Sequence, residues 1–254
     1  MTLNCCVSSE RLAWWEYHYI VHGCRLFLFV IGFYHIRVEG ERDHAISTII
    51  CNHSSWLDIL LVFVSFGGVP RFVAKKGVVR FPMVSFVSRK CGCILIDPAV
   101  PHDTAAKIVA FQSDDNSREP KIDGDYLVIF PEGTTSNGQG LLNFHAGAFI
   151  TRVPLQPMTI HYDYVYTSPT WDSIPVAVHI FDMLTQLYQS VTICFLPVEH
   201  PLETCNNPQD YAAQCRLAMA TSLNIPQVDV NSTDKNIVHE AIQGKEYFYY
   251  FDFV

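Results

Sequence analysis

The sequence predicts an α/β fold: a largely parallel sheet flanked by helices, behind an apolar helical element at the N-terminus. Three observations lead there. Short β-branched or apolar runs alternate along the chain with longer runs of helical character, the pattern of strand–helix–strand units. The run Tyr126 to Phe130 (YLVIF) is continuously apolar, as in a strand covered on both faces. Proline and glycine fall mostly between these runs, where they punctuate.

The elements follow in order. An aromatic stretch from Trp14 to Ile36 contains the apolar run Leu26 to Phe33, interrupted upstream by His18, His22 and Arg25. It falls short of the roughly 20 clean residues of a spanning helix. Two readings fit: a helix lying in one leaflet with Trp14, Trp15, Tyr17 and Tyr19 at the interface, or a buried core helix. Ile36 to Glu39 and Ser47 to Cys51 read as strands around a polar turn, and Trp56 to Phe66 as an apolar helix ended by Gly67, Gly68 and Pro70. Arg71 to Ala74 and Cys93 to Ile96 read as strands, Pro101 to Phe111 as a helix and Asp114 to Gly124 as a polar loop. Val153 to Tyr162 and Val191 to Leu196 read as strands. Pro175 to Gln189 and Pro208 to Leu223 read as helices with proline in the first turn. The last twenty residues, ending YFYYFDFV, are aromatic without a pattern. The expected organisation is an N-terminal segment over residues 1–36, a main domain over 37–230 and a tail over 231–254.

Composition narrows the function. Of 254 residues, 49% are hydrophobic and 17% charged, where about a quarter is usual. That richness suits lipid contact or a large core. A net charge of -8 argues against a nucleic-acid partner. Yet no acidic residue lies between Asp58 and Asp97, a stretch that holds Arg71, Lys75, Lys76, Arg80, Arg89 and Lys90. This is either a solvated basic face or a seat for phosphates or anionic head groups. The nine scattered cysteines form no disulfide framework or zinc spacing and read as reduced thiols facing the cytosol. Cys5 and Cys6, just ahead of the apolar stretch, are candidates for palmitoylation. The first ten residues lack the basic start and apolar centre of a signal peptide.

Two constellations carry chemistry. Asn52-His53-Ser54-Ser55-Trp56-Leu57-Asp58 joins a strand to a helix. Ser55 suits the N-cap and Asp58 the first turn. On one helix, five residues would turn the two side chains about 140° apart; across a strand-to-helix corner they can converge. Asp58 would then hold one ring nitrogen of His53 and leave the other as a base. The plainer reading is that Asp58 caps the helix and His53 is a loop residue. The second constellation, Phe130-Pro131-Glu132-Gly133-Thr134-Thr135-Ser136-Asn137-Gly138, empties from the buried strand. Its amides and hydroxyls suit an anionic oxygen such as a phosphate, unless it is an ordinary polar turn.

With these residues in view, the sequence resembles the glycerophospholipid acyltransferases. Four blocks match in the family's order: NHSSWLD (52–58), RFVAKKGVVRFPMVSFVSRKCGCILID (71–97), FPEGTTSNG (130–138) and VPLQPM (153–158). Phe144 to Phe149 is similar to a Phe-Lys-x-Gly-Ala-Phe segment of the family, with His145 in the basic position. The resemblance implies an acyl-CoA-dependent enzyme that acylates a lysophospholipid at a membrane leaflet. It implies His53 as general base, Asp58 as its orienting group, and Glu132, Gly133, Thr134 and Thr135 around the acceptor's glycerol and phosphate. Lys75 and Lys76 would lie beside substrate phosphates. It also implies a leaflet-docking N-terminal helix and a site at the endoplasmic reticulum facing the cytosol.

Two departures bear on the acceptor. Many relatives that acylate lysophosphatidic acid carry arginine where Thr135 and Pro98 stand here. A phosphodiester needs less positive charge than a phosphomonoester, so a lysophosphatidylcholine-like acceptor is expected, with lysophosphatidic acid as the alternative. A catalytically inactive lipid-binding protein on the same fold is the rival from another class. A hydrolase would need a nucleophile near His53, and no G-x-S-x-G elbow occurs. Direct transfer needs no metal and no cofactor beyond acyl-CoA as co-substrate. His102 with Asp103, and His161 with Asp163, read as surface polar groups.

Overall fold

The structure, a computed structural model, describes residues 14–65, 69–77, 82–96, 101–117, 125–164, 167–171, 174–235 and 237. Cys5, Cys6, Arg80, Pro98 and the aromatic C-terminal residues lie outside them. The chain runs α1 (Trp14–Val30), β1 (Phe33–Glu39), β2 (Thr48–Cys51), α2 (Leu57–Ser65), β3 (Val69–Lys75), α3 (Pro82–Lys90), β4 (Ile94–Ile96) and α4 (Pro101–Ser117). It continues through β5 (Asp125–Ile129), a 3₁₀ turn (Ala146–Phe149), β6 (Gln156–Asp163), α5 (Val176–Leu184), β7 (Gln189–Phe195) and α6 (Pro208–Leu223).

One seven-stranded sheet has the order β1-β7-β6-β2-β5-β3-β4. Every neighbouring pair is parallel except β6 with β7. The expected α/β class with a largely parallel sheet is therefore observed. Alternation along the central strands sorts side chains to two cores. Ile49 and Cys51 of β2, Tyr126 and Val128 of β5 with Phe130 just beyond it, and Met158, Ile160 and Tyr162 of β6 join the core beneath α1 and α2. Ile50, Leu127 and Ile129 face the other core, with Phe149 and Tyr211. Successive side chains of a strand point to opposite faces, which is why YLVIF is apolar throughout.

This parity also sets the site. Continuing β2 by two residues from Cys51 puts His53 on the α2 face. Phe130 and Tyr162 arrive on the same face at the carboxyl ends of adjacent strands. In parallel sheets, that end is where ligands bind.

Helix α1 packs one face on the core and leaves the other exposed. Val21, Cys24 and Leu28 of α1 are buried, whereas Trp15, Tyr19, Leu26, Phe29 and Val30 are exposed. No helix among the described residues is long and apolar enough to cross a membrane. The apolar run Leu26 to Phe33 does not stay helical. Gly32 adopts φ +95° and a Cβ there would lie 3.0 Å from the carbonyl oxygen of Gln186. The chain turns there into β1, which begins three residues earlier than the expected Ile36. Helix α3 lay in the unassigned basic segment, because its apolar positions are few and interleaved with serine, arginine and lysine. Helix α5 is shorter than expected; Gln189, read as its end, opens β7 and bonds the Gly32 carbonyl through its amide at 2.8 Å. The start and end of α6 agree with the sequence reading. Asn207 and Asp210 form a capping box around Pro208, and Asn224 closes the helix in the left-handed conformation.

Candidate active site

The His53 corner is built almost entirely within its own motif. Oδ2 of Asp58 accepts the Nδ1 hydrogen of His53 at 2.8 Å, Ser54 N–H at 2.8 Å and Ser55 N–H at 2.9 Å. Oδ1 accepts the hydroxyl of Tyr162. Ser55 Oγ accepts Leu57 N–H at 3.3 Å as a helix cap. Asp58 therefore both caps the helix and orients the histidine, and the two sequence readings describe one arrangement. With these donors converging on an ionised carboxylate, His53 carries its proton on Nδ1. Its Nε2 is left basic, and it has no hydrogen-bond partner among the described residues. The imidazole stacks on Phe130 with centroids 4.1 Å apart and planes 19° apart. Both side chains of the pair are 0% exposed, so their hydrogen bond works in a low-dielectric setting.

The second constellation is cross-bonded to the first. Oε1 of Glu132 accepts His53 N–H at 2.9 Å, and Oε2 accepts Leu142 N–H at 3.1 Å. The carbonyl of His53 in turn accepts Ser136 N–H at 2.9 Å. Both main-chain groups of the base are thus held by the 132–136 loop. Glu132 spends both carboxylate oxygens on main-chain amides, a buttressing arrangement rather than one facing a ligand. Burial pushes its pKa up to about 7, helped by the nearby Asp58 charge; the two amides and the Lys235 cation pull the other way.

Gly133 has φ +70°, and a Cβ there would come within 2.7 Å of the His145 ring. Both facts require glycine. Thr134 and Thr135 are buried beside it. Lys75 ends β3 close enough to His145 that its charge, after burial, lowers the imidazole pKa. Both effects disfavour a positive charge on His145, unlike the basic residue it stands in for. Lys76 is exposed on the turn after β3. The structure brings His53, Asp58, Glu132, Gly133, Thr134 and Thr135 together and sets Lys75 beside His145 at their edge. His161 and Asp163 are an exposed pair at 3.4 Å, and no group of three potential metal ligands occurs among the described residues.

Sequence reading missed several contributors. Tyr162 had a visible signal, a hydroxyl ending an apolar row Met158, Ile160, Tyr162 on one strand face. The Asn52 side chain clamps β2 to β6, accepting Ile160 N–H at 2.8 Å and donating to its carbonyl at 3.0 Å. Trp171 N–H bonds the Ser54 carbonyl at 2.7 Å. Residues 226–235, partly read as tail, run along the Glu132 loop. Leu141 N–H bonds the Pro226 carbonyl at 3.0 Å and Asn143 N–H the Val230 carbonyl at 2.9 Å. These have no short-range signal.

A family model described as Acyltransferase matches residues 35–161, spanning both constellations. The chain belongs to the acyltransferase family. The chain is 34% identical over 209 residues to the lysophospholipid acyltransferase LPEAT1 of Arabidopsis thaliana, covering 81% of the chain and 51% of that relative. It is 29% identical over 252 residues to a lysophosphatidylcholine acyltransferase of Drosophila melanogaster, covering 95% of the chain and 46% of the relative. Such matches set it in the glycerophospholipid acyltransferase superfamily, near the lysophosphatidylcholine branch. The chain spans about half the length of the curated relatives it matches. Its fold is similar to the crystal structure of the 1-acyl-sn-glycerophosphate acyltransferase PlsC of Thermotoga maritima, with a TM-score of 0.56 at 19% identity, covering 83% of this chain and 79% of that one.

Proposed function

We propose that the protein transfers an acyl group from acyl-CoA to the free hydroxyl of a lysophospholipid, with His53 as general base. One observation carries this: a buried imidazole whose Nδ1–H is held by Asp58 and whose Nε2 is left unpartnered, on a corner cross-bonded to the Glu132 loop. The lysophospholipid hydroxyl gives its proton to Nε2 as its oxygen attacks the thioester carbonyl. The tetrahedral intermediate collapses, the carbon–sulfur bond breaks, and the CoA thiolate recovers the proton from His53. A thiol of pKa near roughly 8.5 leaves readily, so the base acts mainly on the alcohol, where it is worth about 10² to 10⁴-fold. No nucleophilic side chain is required, because the acceptor supplies the oxygen. His53 has no exposed surface, so binding of the acceptor must open a path to Nε2.

The names of the relatives favour a lysophosphatidylcholine-like acceptor. Thr135, where an arginine would serve a phosphomonoester, favours it too. A leaflet location, expected at the endoplasmic reticulum with the site facing the cytosol, is supported by the exposed aromatic and aliphatic residues of α1 and, on α5 and its following turn, by Phe181, Leu184 and Leu187. Incubating the protein with labelled oleoyl-CoA and a panel of lysolipids tests the reading. Diacyl product is expected. Free fatty acid as the only product would indicate hydrolysis, and no product at all would leave a lipid-binding protein.

A further inference from the structure

Lys235 lies outside the family-matched residues and outside both sequence constellations, yet its ammonium group sits on the acceptor loop. Its Nζ donates to the carbonyl of Thr135, and to Thr134 Oγ1 at 3.4 Å. It is also close enough to Glu132 for its charge to lower that carboxyl's pKa. The placement is built. Asn231 Oδ1 accepts Thr233 N–H at 2.8 Å and Asp234 N–H at 3.0 Å, while Asp234 Oδ2 accepts Asn231 N–H at 3.0 Å. This reciprocal cap opens a helical turn in which Lys235 N–H bonds the Asn231 carbonyl at 3.1 Å. The turn is anchored to the loop by Ser232 Oγ, 3.0 Å from His145 Nε2, and by Asn143 Nδ2 to Asp229 at 2.8 Å.

The loop needs such a group if it receives a phosphate. Thr134 and Thr135 are neutral, Lys75 lies only at the loop's edge beside His145, and desolvation and the Lys75 charge disfavour a cation on that imidazole. Glu132 is committed to two main-chain amides. Hydroxyls and amides alone leave a phosphate's charge uncompensated, whereas a cation makes each contact a stronger charge-assisted hydrogen bond.

Resting on the proposed transferase reading, we propose that Lys235 is a specificity-determining residue that meets a substrate phosphate at the Thr134–Thr135 loop. A single ammonium matches the single charge of a phosphodiester, as in lysophosphatidylcholine. The phosphate could also be one of CoA's, so the test separates the two.

The experiment compares wild type with Lys235→Met and Lys235→Arg, using decanoyl lysophosphatidylcholine and monodecanoylglycerol as acceptors. For each variant, kcat/KM and equilibrium binding are read as the ratio of the two acceptors within one preparation, so that a loss of folded protein cancels. Lys235→Met is expected to lower this ratio about tenfold, the effect of losing one charged hydrogen bond, and Lys235→Arg to retain most of it. A selective loss with lysophosphatidylcholine assigns the phosphate to the acceptor. A rise confined to the KM for acyl-CoA assigns it to CoA. If neither the ratio nor the acyl-CoA KM moves, even with a lowered melting temperature, Lys235 only pins the loop and the proposal is overturned. Wild-type protein that binds the lysolipid but transfers nothing would sink the transferase reading, while the binding ratio still decides the role of Lys235.

Discussion

The two sides of the site are assembled in opposite ways. The His53 corner is local: the imidazole and the carboxylate are five residues apart, and three donors to Asp58 come from His53, Ser54 and Ser55. The acceptor side is assembled from afar. Glu132 bonds His53 across 79 residues, and Lys235 reaches Thr135 across 100. The contrast teaches that the His53–Asp58 pair depends on local geometry, whereas the loop around it depends on the tertiary fold. The local pair is nonetheless tied to the distant loop, because Glu132 and Ser136 hold the main chain of His53.

That contrast can be broken or sharpened by substitution. The largest effect is expected for His53→Ala, which should lower kcat by about 10² to 10⁴-fold or more while the melting temperature shows the chain still folded; activity above a few per cent would remove His53 as the base. Asp58→Asn should follow at about 10²-fold, because an amide can donate to Nδ1 and leave Nε2 protonated. It also weakens the helix cap, so circular dichroism must accompany the kinetics. On the other side, Thr135→Arg adds a second cation beside Lys235. It should shift the kcat/KM ratio towards lysophosphatidic acid over lysophosphatidylcholine by several-fold, roughly one charged contact. An unchanged profile would show that the loop does not face the head group.

Smaller effects probe the links between the sides. Tyr162→Phe removes a donor to Asp58 Oδ1 and should reduce kcat several-fold, in line with a net hydrogen-bond contribution of about 1 kcal/mol. An unaltered kcat would mean that the three remaining donors suffice. Glu132 gives a pH signature. Its folded pKa of about 7 lies above the ordinary carboxyl value of 4.5, so between these values the folded state holds more of the proton than the unfolded chain. The contribution of Glu132 to stability is therefore fully present below about pH 4.5 and is lost as pH rises through about 7. The melting temperature of wild type relative to Glu132→Gln should fall across that window. A difference constant with pH would refute the shift.

How much was legible follows from the same contrast. The alternating runs, the doubly buried YLVIF strand and the capped helices were readable because each depends on spacing within a few residues. The convergence of His53 and Asp58 was readable for that reason too. The β6–β7 antiparallel pair, helix α3 and the early end of α1 at Gly32 were not, since each is settled by what packs against it. His145 shows the limit most plainly: it occupies a basic position in sequence, but desolvation and the Lys75 charge disfavour its cation.

By itself, the sequence determined a base and a carboxylate at a strand-to-helix corner, since two-residue strand parity and one helical turn are local geometry. Only the tertiary structure decided that Glu132 buttresses the main chain of that corner, that Tyr162 completes the hold on Asp58, and that Lys235 lies on the Thr134–Thr135 loop. Their partners are far along the chain. Hydrogen bonds and burial across such distances exist only once the sheet has set the strand ends side by side.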